Sequence, residues 1–314
     1  MPELPEVETA VRSLRDPLVG RTIQSAIFPA DPGRMTNLDA AHFAARIAGQ
    51  RVERIERRAK YLIFVLSTDT LIVHLKMTGH LYVLPPTAES PFDRWVRVRF
   101  LLENGQELRF SDTRKFGRVL LVSDPAEILP KLGPEPLEDD FTPDVFRERL
   151  KRRKGALKAL LLDQSFVAGV GNIYADEALH IARLHPLREA SSLSKTEADR
   201  LYTGIREALA DGVRFQGASV STYRKPDGTR GEAQQQLRVY RELGNLDKPC
   251  PDCGGPITKI FFGGRGTHFC LNCQPVKPRY MAKRTIRPAT ATKTTKSKGK
   301  SVSKKRSVTN GTRT

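Results

Sequence analysis

Hydrophobic and polar positions divide the start of the chain into one helical segment and a long region of strands. Apolar side chains recur at helical spacing over residues 5–16, where Pro5 suits the first turn of a helix. Beyond it, short apolar and β-branched runs alternate with turn signals such as Asn104-Gly105. The clearest runs are residues 61–66, 71–75, 96–101 and 118–122. This pattern predicts one helix followed by a β-sandwich or barrel.

The pattern changes near residue 133, where prolines and acidic side chains mark a linker. Helical spacing resumes over residues 145–162, 172–182 and 195–210, and Ser194 with Glu197 forms the signature of a capping box. We therefore predict an α+β multidomain chain. Its parts are residues 1–132, a β-sandwich domain; 133–144, a linker; 145–235, a helical domain; 236–280, a β module with all four cysteines; and 281–314, a basic tail.

Composition narrows the class of protein. With 314 residues and 39% hydrophobic side chains, the chain can bury the cores of two domains. Its apolar runs fall far short of the roughly 20 residues that cross a bilayer. Its first residues are too acidic and too polar for a signal peptide. These features predict a cytoplasmic protein that does not enter a membrane.

The net charge of +18 favours nucleic acid as a partner, but the charge is unevenly distributed. Residues 275–314 hold 13 of the 53 Lys and Arg side chains and no Asp or Glu, so residues 1–274 carry a net charge of only +5. From residue 289 onward Thr, Ser, Lys and Gly predominate, a composition that predicts disorder. Such a tail either attracts phosphates without reading sequence or keeps the protein soluble.

The four cysteines form two Cys-x-x-Cys pairs, Cys250 with Cys253 and Cys270 with Cys273. Four thiolates presented by two tight turns give the closed tetrahedral site that structural zinc prefers, so we predict one structural Zn²⁺. A cytosolic setting opposes the alternative of disulfides or a redox pair. The residues between the pairs predict a hairpin with Arg265 at its glycine-rich tip. This arginine is either a phosphate or minor-groove probe or a solvated turn residue.

A glycine-rich turn joins two predicted helices and places Asn172 at the expected N-cap of the second. Free amides at a helix start bind anions, and the Asn172 side chain can add a donor. The turn is therefore either an ordinary helix connection or, with Arg152 and Lys158 nearby, a contact with a phosphate backbone.

The first residues carry a candidate nucleophile. Removal of Met1 leaves Pro2 with a secondary α-amine, and α-amines have a pKa of about 7.7 to 8.0, which gives a neutral fraction at pH 7. Such an amine can attack a sugar C1′ and form an iminium, an electron sink for elimination. Glu3 is adjacent in sequence and can transfer protons. The alternative is that these residues only begin a helix.

Six segments, in order over about residues 1–274, carry a resemblance to a known family. They are Met1-Pro-Glu-Leu-Pro-Glu-Val-Glu-Thr9, Arg58-Ala-Lys-Tyr61, His74-Leu-Lys-Met-Thr-Gly79, Asp112-Thr-Arg-Lys-Phe-Gly117, residues 163–174, and Gly264-Arg-Gly-Thr-His-Phe-Cys270. Together they resemble bacterial formamidopyrimidine-DNA glycosylases, of the formamidopyrimidine/endonuclease VIII family. The resemblance implies an N-terminal helix plus β-sandwich, a helix–two-turn–helix domain and a C-terminal zinc-ribbon hairpin, with DNA between the domains.

The resemblance also implies an activity and its residues. The substrate would be double-stranded DNA with oxidised purines, such as 8-oxoguanine and formamidopyrimidines, or with abasic sites, and no obligate protein partner is expected. Pro2 is similar to the Schiff-base nucleophile, Glu3 to the proton donor at the sugar, and Lys60 to the lysine of β-elimination. Arg265 matches the hairpin arginine that grips phosphates around the extruded nucleotide and acts in δ-elimination.

Seven further residues match positions that contact DNA in the family. Met77, Arg114 and Phe116 match the residues that fill the gap left by a flipped base, where apolar side chains replace lost stacking and an arginine pairs with the orphaned cytosine. The other expected DNA contacts are His74, Arg152, Lys158 and Asn172.

Two other functions stay open at this stage. An endonuclease VIII-like glycosylase for oxidised pyrimidines would share Pro2, Glu3 and the zinc hairpin, although the gap-filling residues favour the purine enzyme. A non-catalytic binder of damaged DNA would be indicated by loss of Pro2 or Glu3, and both are present. Residues 231–242 depart from the family's pattern, near the loop that covers the damaged base, so the resemblance implies least about base preference.

Overall fold

The computed structural model describes residues 1–129, 131–151, 153–241 and 247–281. Two predictions fall outside the described residues: the DNA contact of Arg152 and the disorder of the tail from residue 289 onward, since residues 282–314 are not described. No helix in the described part of the chain is long and apolar enough to cross a membrane.

The first helix, α1, spans Leu4–Leu18 and is slightly longer than its pattern predicts. Pro5 lies in its first turn, and the carboxylate of Glu6 accepts the backbone amide of Glu3 at 2.8 Å, which satisfies a donor at the helix start. One apolar face of α1 packs into the core of the N-terminal domain. Leu4 instead packs into the core of the helical domain, so the helix start joins the two domains.

The N-terminal domain contains two antiparallel four-stranded sheets, as the strand patterns predict. One sheet has the order β1-β6-β7-β5 and the other β2-β3-β4-β8. The strands are β1 Ile23–Ile27, β2 Val52–Arg58, β3 Tyr61–Leu66, β4 Thr70–His74, β5 Gly79–Leu84, β6 Val96–Leu102, β7 Glu107–Asp112 and β8 Arg118–Val122. A second helix, α2 Ala40–Ile47, was not predicted from the sequence; Asp39 caps it by accepting the amide of His42.

The runs that predicted strands differ in how they are buried. In β6 every second side chain is buried, which is the pattern of a strand with one exposed face. All five residues of β4 are buried, because Leu71 and Val73 face the main core while Ile72 packs with Leu120 and Val122 in a smaller cluster on the other side. Burial on both faces explains the continuous apolar run in this part of the sequence.

The helical domain holds α3 Pro143–Lys151, α4 Leu157–Leu162, α5 Asn172–Ile181 and α6 Lys195–Arg214. The prediction of a single helix over residues 145–162 is wrong, because the chain breaks after α3 and Gly155 takes a left-handed φ of 95°. The predicted capping box of α6 is confirmed, with Ser194 and Glu197 each accepting the other's backbone amide.

The cysteine module contains the predicted hairpin, with β9 Ile257–Phe262 paired antiparallel to β10 Arg265–Cys270. Gly263 and Gly264 form the tip, and both take positive φ values that an L side chain rarely adopts. Arg265 is the first residue of β10 and pairs with Phe262. It therefore stands on a strand end next to the tip.

Candidate active site

A pocket of about 570 Å³ lies where the β-sandwich, the helical domain and the hairpin meet. Six of the residues singled out from the sequence line it: Glu3, Lys60, His74, Met77, Asn172 and Arg265. Met1 also lines the pocket, so the buried Pro2 is flanked by two lining residues. The structure thus brings together side chains that are far apart in sequence.

Glu3 is buried at the start of two helices. It precedes α1, and its Oε1 accepts the amide of Ile173, at the start of α5, at 2.9 Å. Its Oε2 lies 3.4 Å from the amide of Tyr174. Unpaired amides and the positive end of the helix dipole favour a carboxylate here. This arrangement fixes the Glu3 carboxyl group at the pocket wall.

The start of α5 binds a side chain of this protein rather than an external phosphate. The sequence left the glycine turn open as a phosphate contact, but Glu3 already occupies two amides of α5. The N-cap of α5 is Gly171, and Asn172 is the first helical residue rather than the cap. A Cβ on Gly171 would lie 2.2 Å from Cδ of Glu3, so a glycine is needed for the carboxylate to approach.

Lys60 follows β2 in the turn to β3, and only 5% of its surface is exposed. Its Nζ donates a hydrogen bond to the carbonyl of Val170 at 2.9 Å, across the domain boundary. Burial lowers the pKa of Lys60, and nearby Arg265 acts in the same direction, while the charges of Glu3 and Glu6 oppose the shift. The amine is therefore neutral at a lower pH than an exposed lysine.

His74 ends β4 and is also buried, with its ring edge-on to Tyr61 at 4.6 Å between centroids. Burial, followed by the charges of Lys76 and Lys60, lowers its pKa to about 3. Its Nδ1 accepts the amide of Lys76 at 3.0 Å, which fixes the neutral tautomer with hydrogen on Nε2. His74 is thus an uncharged pocket residue.

Met77, Arg114 and Phe116 lie on two adjacent turns of the N-terminal domain. Met77 and Phe116 are 39% and 53% exposed, which is unusual for large apolar side chains. The Arg114 guanidinium lies 4.7 Å from the Phe116 ring centre, a cation–π contact. Thr78 and the Arg114 amide both donate to the carboxylate of Asp112, which joins the two turns.

The hairpin is attached to α5 by two hydrogen bonds. Asn172 Nδ2 donates to the Gly266 carbonyl at 3.0 Å, and Asp176 accepts the amide of His268 at 3.0 Å. Oδ1 of Asn172 is buried without a hydrogen-bond partner among the described residues, and it belongs to a residue that lines the pocket. These contacts hold the exposed Arg265 at the pocket edge.

Lys158 does not fit the predicted DNA contact. Its side chain is fully buried, and its Nζ is paired with Asp176 and donates to the carbonyl of Asn172 at 3.0 Å. A charge buried in this way is not available to a phosphate. Lys158 instead supports the start of α5 and, through Asp176, the hairpin.

The four cysteines fit the predicted zinc site. All four Sγ atoms lie within 4.8 Å of one another. Tetrahedral Zn–S bonds of about 2.3 Å require sulfur atoms about 3.8 Å apart. The Cys250–Cys273 and Cys253–Cys270 pairs are separated by 3.8 and 3.5 Å, too far for disulfide bonds. Nε2 of His180, near the end of α5, lies 3.3 Å from Cys250 Sγ.

Two buried acids, Glu6 and Glu177, hold residues that line the pocket, but neither role had a clear signal in the sequence. Glu6 accepts the Tyr174 hydroxyl at 2.8 Å and the Ala218 amide at 2.7 Å, and burial, followed by the charge of Glu3, raises its pKa. Glu177 on α5 accepts three successive amides, those of residues 238–240. The capping-box spacing marks Glu6 as a helix-start residue, but its distant partners depend on the tertiary fold.

Comparison with known proteins agrees with the architecture. Three family models match the chain: the formamidopyrimidine-DNA glycosylase N-terminal domain over residues 1–119, the formamidopyrimidine-DNA glycosylase H2TH domain over residues 132–224, and a zinc finger found in FPG and IleRS over residues 247–276. The domain boundaries given from the sequence stay a prediction.

Curated relatives match most of the chain. A formamidopyrimidine-DNA glycosylase from Symbiobacterium thermophilum is 48% identical over 280 residues, which cover 88% of this chain and 90% of the relative. One from Herpetosiphon aurantiacus is 46% identical over 277 residues, which cover 87% of this chain and all of the relative.

Solved structures show the same fold. The MutM (Fpg) crystal structure from Thermus thermophilus has a TM-score of 0.77 at 43% identity, and a Lactococcus lactis Fpg complex with abasic-site DNA has 0.79 at 36%. The matches cover 88% and 87% of this chain and each neighbour completely.

Fold and site define a protein with a β-sandwich, a helix–two-turn–helix domain and a zinc finger around one interdomain pocket. The chain belongs to the formamidopyrimidine-DNA glycosylase family, which confirms the resemblance and the predicted fold.

Proposed function

We propose that this chain is a DNA glycosylase and abasic-site lyase of base excision repair, which removes oxidised purines from double-stranded DNA. The observation that carries the proposal is the pocket in which Glu3, Lys60 and Arg265 surround the start of the chain. Relatives support the substrate class, because solved neighbours include a Lactococcus lactis Fpg variant with Fapy-dG DNA and MutM with DNA containing carbocyclic 8-oxo-G. The protein would act in the cytoplasm, on the bacterial nucleoid.

The first chemical step belongs to Pro2 and Glu3. After removal of Met1, the Pro2 nitrogen attacks C1′ of the damaged nucleotide, and the bond from C1′ to the base breaks. Opening of the C1′–O4′ bond then leaves an iminium between C1′ and the Pro2 nitrogen. The Glu3 carboxylate, fixed beside Pro2 by two amides of α5, accepts the proton that the Pro2 nitrogen loses and passes it to the sugar oxygen O4′.

Lys60 and Arg265 serve the elimination steps. The iminium makes the C2′ proton acidic, and a neutral amine can remove it while the 3′ phosphate leaves. Burial lowers the pKa of Lys60 and so raises its neutral fraction near physiological pH, which suits this role. Arg265 is exposed at the pocket edge, where its guanidinium can bind the phosphate that departs in the second elimination.

The exposed turns would maintain the duplex while the damaged base is outside it. Met77 and Phe116 can replace the lost stacking, and the Arg114 guanidinium can hydrogen-bond the unpaired cytosine. His74 and Asn172 line the pocket between these turns and the hairpin, where the extruded nucleotide would lie. The zinc site would be structural, since all four ligands are protein thiolates.

Borohydride trapping tests the mechanism. The wild-type protein, incubated with a duplex holding 8-oxoguanine opposite cytosine, should form a covalent adduct that mass spectrometry places on residue 2. Pro2→Gly should strongly reduce adduct formation. Absence of an adduct with the wild type, or an undiminished yield with Pro2→Gly, would refute the proposal and favour a non-catalytic binder of damaged DNA.

A parallel substrate distinguishes the endonuclease VIII-like alternative. We expect faster single-turnover excision of 8-oxoguanine than of thymine glycol in otherwise identical duplexes. The reverse order would assign the chain to oxidised pyrimidines. The exposed Met77 and Phe116 side chains and the relatives' names favour the purine enzyme.

A further inference from the structure

One wall of the pocket comes from a segment that follows α6, residues 217–231, which we call the roof segment. Its Val220 and Ser221 line the pocket together with Glu3 and Lys60. The roof segment belongs in sequence to the helical domain, yet the opposite side of the pocket belongs to the β-sandwich. Its position therefore depends on contacts that cross between the domains.

Hydrogen bonds within the roof segment give it a defined shape. Ser219 Oγ donates to the carbonyl of Tyr223 at 3.0 Å and accepts the amide of Gly231 at 2.9 Å. Near the far end, the Lys225 carbonyl accepts the amide of Gly228, and the Lys225 amide donates to the carbonyl of Thr229. The segment is thus a loop closed by its own hydrogen bonds.

Contacts to the N-terminal domain fix the two sides of this loop. At its base, Glu6 accepts the Ala218 amide at 2.7 Å. At its far end, Nε2 of His80 lies 2.9 Å from the carbonyl of Lys225. The Thr222 hydroxyl adds a longer bond of 3.4 Å to the carbonyl of Met77. Lys225 is therefore tied to β5, two residues beyond the turn that carries Thr78.

The surroundings of His80 hold its ring in place as a hydrogen-bond donor. It is 8% exposed and packs against Phe92 and Tyr82, with ring centres 4.4 and 5.1 Å away. Burial lowers its pKa, which keeps the imidazole neutral. A carbonyl can only accept, so the hydrogen of the neutral ring lies on Nε2. Its Nδ1 has no partner in the part of the chain that the structure describes, which leaves the Lys225 bond as the polar contact that orients the ring.

We propose that His80 is a positioning residue for base recognition. Its bond to Lys225 sets the distance between the roof segment and the opposite side of the pocket, which belongs to the β-sandwich. This inference rests on the proposed function. A base turned out of the duplex would fill the space beside Val220 and Ser221, whereas the sugar would lie near Glu3 and Lys60. The roof segment would therefore affect steps that involve a base and leave steps at a baseless sugar unchanged.

Two substitutions separate the hydrogen bond from the packing. His80→Phe keeps an aromatic ring against Phe92 and Tyr82 but removes the donor. His80→Gln replaces the ring by an amide that can still donate to Lys225. His42→Phe makes the same replacement at an exposed position on α2 and is the control for a His-to-Phe change away from the pocket.

The measurement compares two duplexes under single-turnover conditions, one with 8-oxoguanine opposite cytosine and one with an abasic site. We expect His80→Phe to slow 8-oxoguanine excision about threefold to tenfold, the effect of one net hydrogen bond, while cleavage at the abasic site stays within about twofold. His80→Gln should recover most of the lost rate. Hydrogen exchange without DNA should show faster exchange of residues 218–231 in His80→Phe only.

Equal losses on both duplexes, or full 8-oxoguanine activity in His80→Phe, would overturn the inference. Unchanged hydrogen exchange of the roof segment would do so as well. Failure of the proposed function gives a different result in the wild-type protein. A non-catalytic binder would process neither duplex, and an endonuclease VIII-like enzyme would cleave the abasic site but excise 8-oxoguanine slowly before any substitution. The hydrogen-exchange measurement needs no activity, so the effect of the His80–Lys225 hydrogen bond on the roof segment can be tested in either case.

Discussion

Glu3 shows how much of this site depends on the placement of one side chain. Its carboxylate reaches two amides of α5 because Gly171 leaves room beside it. Its own amide is held by Glu6 at 2.8 Å. We therefore expect the proposed chemistry at Pro2 to depend on how the starts of α1 and α5 approach each other.

Gly171→Ala should displace Glu3 without unfolding the protein. The new Cβ would lie 2.2 Å from Cδ of Glu3, closer than atoms can approach, so the carboxylate must leave its amides. We expect single-turnover excision to fall on the order of 100-fold, as when a positioned acid is misplaced. Gly49→Ala is the matched control: it strains a left-handed φ of 78° but meets no atom of the described residues within 4 Å. Equal excision rates for the two variants would contradict this assignment.

Lys60→Met should stabilise the protein while it abolishes β-elimination. Burial disfavours the charged amine, and the Val170 carbonyl that loses this donor still accepts Gln164 Nε2 at 2.8 Å. The expected gain is about 1 kcal/mol, or roughly 2–4 °C in the unfolding midpoint. A lower midpoint in calorimetry would show that Lys60 contributes to the fold.

The effect of Lys60→Met on the free energy of unfolding should depend on pH. The pKa of Lys60 is lower in the folded protein than its ordinary value near 10.5, so the unfolded chain binds more protons between the two values. The free-energy cost of burying the charged Lys60 amine is therefore largest below the lowered pKa. This cost declines as the pH rises toward the ordinary pKa. The stability difference between Lys60→Met and wild type should shrink over that window in denaturant titrations.

At the scale of elements, α5 connects the proposed catalytic residues to the zinc module. Its first amides bind Glu3, Asp176 in its middle binds Lys158 and the hairpin, and His180 near its end contacts Cys250. A single helix of ten residues therefore sets the position of Arg265 relative to Glu3.

Asp176→Asn should disturb this connection strongly. The substitution leaves the charge of the buried Lys158 without its partner, which costs about 3–5 kcal/mol. We expect a lower unfolding midpoint in calorimetry and weaker binding to abasic-site DNA. Glu53→Gln, an exposed position on β2, removes an acid without this effect. Similar midpoints for both variants would exclude the structural role of the Lys158–Asp176 pair.

The sequence was sufficient for elements with strong local signals and for motifs with fixed spacing. Strand β3, the hairpin and the four cysteines have local patterns, and the structure agrees with each. The break between α3 and α4 was missed because the apolar spacing continues across Gly155. Lys158 was assigned to DNA because the sequence does not show that Asp176, on another helix, pairs with it.

On the scale of the whole molecule, most of the net charge belongs to the last 40 residues of the sequence. Residues 1–274 carry only +5, so we expect damage recognition to depend on individually placed side chains such as Arg114 and Arg265. The basic tail can add affinity for any DNA through release of counterions.

Deletion of residues 289–314 should separate these two contributions. The deletion removes eight Lys and Arg side chains. We expect a shallower dependence of DNA affinity on salt concentration, because each phosphate contact contributes about 0.9 to the slope of log K against log salt. Single-turnover excision at saturating enzyme should stay within about twofold. An unchanged salt slope, or a large loss of excision, would show that the tail has another role.

The contact between Glu3 and Ile173 also has a consequence for synthesis of the protein. The two residues are 170 positions apart, so the ribosome must extend the chain by that length before α5 can cover the first residues. At about 5–20 residues per second, this takes roughly 10–30 seconds. During this interval Met1 stays accessible to the aminopeptidase that the proposed mechanism requires to remove it. The order of synthesis thus lets processing of the nucleophile precede assembly of the pocket around it.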